Sequence, residues 1–164
     1  MGLGYASPVN KIELRERRES DLDGCVRALR LVHEADGYPM VWPKDPVRWL
    51  TPANTLHGWV AVTRSAAPVG HVLLLGTERP DTWELARLFV SPEARGLGLG
   101  AALLDAAGAR AAEQGRGLEL EVVADERSRA ISLYETAGWR RTGTVTAGWT
   151  NPDGGRVRMH RYAR

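Results

Sequence analysis

The stretch LFVSPEARGLGLGAALLDAAG, from Leu88 to Gly108, decides how the chain is read. An apolar run rich in strand formers meets Pro92. Glycines then alternate at 96, 98 and 100 before an alanine-rich helix pattern begins. Glycine inside regular structure costs about 0.5 to 1 kcal/mol relative to alanine, so this run needs a reason. Strand, turn, glycines and helix in that order gather bare N–H groups at a helix N-terminus, which suits a phosphate, and Arg95 adds a charge beside it. Three readings compete: a tight connection whose glycines only satisfy turn geometry, a dinucleotide fold through Gly96, Gly98 and Ala101 as G-x-G-x-x-A, and the pattern Q/R-x-x-G-x-G/A through Arg95, Gly98 and Gly100. Too few strand-helix units follow for a dinucleotide fold, and no G-K-[ST] follows the glycines as a nucleoside-triphosphate loop requires.

Composition narrows the rest. At 164 residues, 43% hydrophobic and 26% charged, the chain reads as one globular domain, 1–164, able to bury a core without staples. A net charge of +2 spread along the chain does not point to nucleic acid. The lone Cys25 and the absence of a signal-peptide pattern favour a reducing cytoplasm, and no apolar run approaches the roughly 20 residues that span a bilayer. His33, His57, His71 and His160 lack ligand spacing, so no metal is expected.

Periodicity predicts a strand over 11–18, a helix over 21–35 capped by Ser20 and stopped before Gly37, and an ordered, Pro- and Trp-rich loop over 36–55 holding one short helix. Strands follow over 57–64, 68–77 and 82–90, then a helix over 100–115, a strand over 118–124 and a short helix over 128–138. A terminal hairpin runs over 139–163, and the basic run 156–164 is expected to be a solvated sheet edge.

The glycine pattern, preceded by LFVSPEA and followed about 30 residues later by AISLYETAGW (130–139), resembles the GNAT N-acetyltransferase superfamily. The resemblance implies an α/β (α+β) fold: a twisted mixed sheet of about seven strands flanked by helices, its fourth and fifth strands splayed to admit acetyl-CoA as acyl donor. Leu88, Phe89 and Val90 would hold the pantetheine arm, and the amides of Arg95, Gly96, Leu97, Gly98, Leu99, Gly100 and Ala101 the pyrophosphate. The acceptor would be an amine of a small molecule or peptide, and a homodimer is compatible. Other relatives carry an Asn before the tyrosine helix, where this chain reads DERSRA, with Ser128 or Glu126 as substitutes.

Acyl transfer to an amine needs a base, an oxyanion donor and an acid for the departing thiolate. The resemblance assigns the acid to Tyr134, whose alternative is a packed core tyrosine. Glu84 and Glu121 are both candidates for the base, each equally readable as a structural charge. Strict alternation puts Glu84 on one face with Ala86 and Leu88 and Arg87 on the other, unless a bulge resets the parity. Glu34, Asp36, Tyr38 and Trp42, with the hairpin near Trp149, form a candidate acceptor wall suited to an ammonium. The alternative is a solvated helix end beside core tryptophans. Two other functions share the same loop: transfer of a different acyl group, and a non-catalytic CoA-binding module.

Overall fold

The run VLLL at 72–75 is buried on both faces, as an interior strand requires, and it anchors a seven-stranded sheet. The computed structural model describes residues 11–125 and 127–164. The strands are β1 (Glu13–Glu16), β2 (Thr55–Val62), β3 (Pro68–Gly76), β4 (Thr82–Val90), β5 (Gly117–Val123), β6 (Arg140–Thr150) and β7 (Arg156–Ala163), in spatial order β1-β2-β3-β4-β5-β7-β6. All neighbours are antiparallel except β4 and β5, which the crossover helix α3 (Leu99–Glu113) makes parallel. The remaining helices are α1 (Leu22–Asp36), α2 (Pro46–Trp49) and α4 (Arg129–Thr136).

Alternation divides the core between two faces. Trp59, Val72, Leu74, Leu85, Leu118 and Leu120 pack with Leu103, Leu104, Ala107 and Ala111 of α3. Val60, Val62 and Phe89 pack with Cys25, Ala28, Leu29 and Val32 of α1. Each leucine so buried contributes about 1.5–3 kcal/mol of transfer free energy. Cys25 lies fully buried on α1, and burial pushes its thiol up to about 12.

Three expectations are corrected. Ser20 does not cap α1. Asp21 is the N-cap residue, and its carboxylate accepts the Arg18 N–H and a bidentate pair from Arg15, which holds its pKa below the usual range. The run 156–164 is not a sheet edge, because β7 lies between β5 and β6 and leaves β6 outermost. The hairpin turns its last strand inward because β5, running parallel to β4, still has a free side to pair. The parity of β4 is also reset. Arg87 sits at φ 56 in a bulge opposite Val72, so Leu88 joins Leu85 on the α3 face and Phe89 turns toward α1.

His71 holds that bulge. Its imidazole is fully buried, stacks on Phe89 at 5.0 Å, donates from Nδ1 to the Arg87 carbonyl (2.8 Å) and accepts at Nε2 from Arg17 (2.9 Å). A carbonyl cannot donate and a guanidinium cannot accept, so the neutral tautomer is set by its partners. Burial, with the Arg17 and Arg87 charges adding, holds its pKa down to about 3. An unfolded histidine takes its proton near 6.5, so between those values the unfolded chain binds more protons than the folded one. The stabilisation is complete above about pH 6.5 and is lost as pH falls toward 3, with a slope of up to about 1.4 kcal/mol per pH unit. Urea unfolding from pH 7 to 4 should therefore show a steeper loss in the wild type than in His71→Gln. Equal slopes would remove His71 from the acid response.

Candidate active site

β4 and β5 pair only at their starts, Thr82 with Gly117, Trp83 with Leu118 and Glu84 with Glu119. Past Glu84 they part, while β4 stays on β3 as far as Val90 and β5 stays on β7 as far as Val123. Leu88, Phe89 and Val90 thus run along a cleft without a strand partner on the β5 side.

At the far end of β4 the glycine loop enters α3. Gly98 is the N-cap at φ 75, ψ 16, with no side chain capping the helix, and Gly96 lies at φ 80. Among the described residues, no acceptor meets the N–H groups from Gly96 to Ala101. A Cβ on Gly96 or Gly98 would meet nothing within 4 Å, whereas one on Gly100 would lie 2.9 Å from Leu133 Cδ2. The glycines therefore have different causes: the first two supply a left-handed backbone and open space, and the third lets α3 approach α4. Unpartnered amides at a helix N-terminus, with room before them, fit the phosphates of a CoA-type donor.

Gly98→Val tests that fit. It should abolish the thermal stabilisation by acetyl-CoA, because a branched side chain would fill the approach and strain a positive-φ position. The shift is measured against the variant's own unliganded melting temperature. An undiminished shift would rule the loop out as the donor site.

The two candidate carboxylates differ in their surroundings. Glu121 is exposed and accepts a hydrogen bond from Arg161 Nε at 3.0 Å, and Glu119 pairs with Arg79. Glu84 is half-buried with no ion pair within 4 Å among the described residues, and burial raises its pKa, with Glu121 adding and Arg87 opposing. A carboxyl so raised sits nearer the working range of a base.

Tyr134 lies on α4, which Ser128 caps by accepting from the Ile131 N–H at 3.4 Å. Its ring is buried, 5.9 Å from Trp139 and 6.3 Å from Tyr162. Burial pushes the phenol well above its ordinary range, so it stays protonated at neutral pH. Its hydroxyl has no bonded partner among the described residues. Glu126, the other substitute for the missing Asn, lies outside the described residues.

The acceptor-wall residues scatter. Asp36 is ion-paired with Arg95 of the glycine loop, with Nη1 to Oδ1 at 3.3 Å and Nη2 also bonded. Trp42 lies under Arg30 (4.5 Å) and beside His33 (5.3 Å), and Glu34 is exposed near Pro92 and Glu93. Trp149 is exposed on β6. Tyr38 packs against the core on the α1 side of the sheet. It meets Trp49 edge-on at 6.0 Å and is close enough to Arg87 and Tyr134 to affect their protonation. Burial pushes its phenol up to about 12. Arg87 and Trp49 were not among the sequence candidates. The one available signal was an arginine amid the apolar residues of β4, and alternation aimed it to the wrong side. Among the described residues no group of three or more His, Cys, Asp or Glu could hold a metal, and no helix is long and apolar enough to cross a membrane.

A parallel pair that opens at a carboxylate, with a donor-rich helix entry at its far end, defines an acyltransferase-type cleft. The family model described as Acetyltransferase (GNAT) family matches residues 26–139, and the chain belongs to that family. The peptidyl-lysine N-acetyltransferase YjaB of Escherichia coli K12 is 32% identical over 100 residues, 61% of this chain, and the chain spans 59% of that relative's length. The fold is shared with the ribosomal-protein-S18-alanine N-acetyltransferase of Escherichia coli (TM-score 0.73, 20% identity, 93% of this chain and 92% of that one). It is shared too with an N-acetyltransferase from Staphylococcus aureus Mu50 (TM-score 0.72, 19% identity, 94% and 98%).

Proposed function

We propose that this chain transfers an acetyl group from acetyl-CoA to a primary amine of a small molecule or peptide, by direct attack of the amine. The observation that carries the reading is the half-buried Glu84, without an ion pair among the described residues, at the point where β4 and β5 part. Acetyl-CoA, when bound, supplies a thioester carbonyl and a thiolate leaving group. The amides of residues 96–101, with Arg95 beside them, would hold its phosphates, and the β4 backbone from Leu88 to Val90 its pantetheine arm.

Glu84 takes the proton that the acceptor must lose before its nitrogen lone pair can attack. It is favoured over Glu121, whose charge is already paired with Arg161. Tyr134 donates its hydroxyl proton toward the leaving sulfur, and its raised pKa keeps that proton in place until the sulfur becomes anionic. The test is release of free thiol from acetyl-CoA across a broad amine panel, repeated with longer acyl-CoAs. Tight donor binding without thiol release would leave a CoA-binding module. Faster release with another acyl-CoA would reassign the donor.

A further inference from the structure

Arg87 is the unusual residue of the cleft. It occupies φ 56, where glycine is unstrained and a long side chain costs about 1–2 kcal/mol. Such strain at a cleft points to a side chain needed where it stands. The guanidinium is half-buried and lies 3.9 Å over the Trp49 ring, with Nε donating to the Trp49 carbonyl at 3.2 Å. His71 fixes the carbonyl of the same residue from below. Backbone and Nε are thus held at three points, yet no carboxylate lies within 4 Å of the guanidinium among the described residues. Among the described residues Nη1 and Nη2 donate to no acceptor, and Tyr38 and Glu84 lie near enough for their charges to act on the guanidinium. A partly desolvated guanidinium with its fork free and its orientation fixed is built for a planar anion.

We infer that Arg87, backed by Trp49, is the specificity-determining residue of the acceptor site, and that the acceptor is a small amine carrying its own carboxylate, of the amino-acid type. This rests on the proposed acetyl transfer and narrows its acceptor. It also opposes the ammonium-selective wall expected from Glu34 and Asp36, because the charge facing the cleft beside the candidate base is positive.

The test uses the full chain with acetyl-CoA and matched acceptors: free amino acids, the same amino acids as amides and methyl esters, and lysine-containing peptides with blocked termini. The wild type should favour the free carboxylates by roughly 10- to 100-fold in kcat/KM, the range for losing a charge-assisted hydrogen bond. Arg87→Gln should erase that ratio by raising KM for the carboxylates well above any change in KM for the amides. Arg87→Gly, which relieves the positive φ and so offsets part of the lost contact with Trp49, should give the same result. Binding of N-acetylated amino acids, read by calorimetry, should be lost in both variants while acetyl-CoA binding persists. Turnover with equal or better rates on amides, esters or peptide lysines would overturn the inference, as would a carboxylate preference surviving in both variants. Absence of thiol release with every acceptor, despite acetyl-CoA binding, would instead overturn the proposed transfer itself.

Discussion

Glu84→Gln should lower kcat/KM by about 10²- to 10⁴-fold, the range for removing a positioned general base. The amide keeps the size and shape of the side chain, so the β4 pairing of Glu84 with Leu75 and Glu119 should survive and acetyl-CoA affinity should change little. The pH profile carries the sharper distinction. In the wild type, activity should rise with pH through the pKa of Glu84, which burial and the charge of Glu121 place above that of an ordinary glutamate. The base works only when deprotonated, so the limb must be an acidic one. Glu84→Gln should abolish that limb, and Glu121→Gln should retain it at slightly lower pH, because one neighbouring negative charge has gone. If Glu121→Gln is the variant that loses the limb, the assignment passes to Glu121.

Tyr134→Phe should lower kcat by roughly 10- to 10⁴-fold while leaving acetyl-CoA affinity within a factor of about two. The ring is the structural part of this residue: it packs between Trp139 and Tyr162 in the core beneath α4, and phenylalanine preserves that packing. The hydroxyl makes no bond to a described residue, so its removal leaves no buried partner unsatisfied and the melting temperature should hold. A stable protein with normal donor binding and poor turnover is thus expected. Parental turnover at every pH would return Tyr134 to the role of a core residue, which its 6% exposure and neighbours also allow. The loss should be smaller with acyl donors whose leaving thiols are more acidic, since a better leaving group needs less help from an acid.

Much of the fold was legible because its signals are local. The strand over 82–90, the broken left-handed entry at Gly96 and Gly98, and the helix after them all lie within some thirty residues, so backbone propensity and turn chemistry suffice to read them. The seven-stranded mixed sheet follows from the order of those elements once the family resemblance is recognised. The stop of α1 at Gly37, in the left-handed region at φ 70, was legible for the same reason.

The tertiary structure decided what depends on contacts between distant residues. The partners of Asp36 and Trp42, Arg95 and Arg30, could not be read in the linear chain, because they are chosen by how α1 docks beside the glycine loop. The neighbour of β7 is a matter of which sheet side remained free, which no local pattern records. Glu84 and Glu121 are the same residue type on strands that read alike. Burial raises the carboxyl of one while Arg161, forty positions from the other, pairs with it. The direction of Arg87 depended on one extra residue in β4. The chemistry needed here was written in residue types, but alternation has a period of two, so a single bulge moves every side chain beyond it to the opposite face.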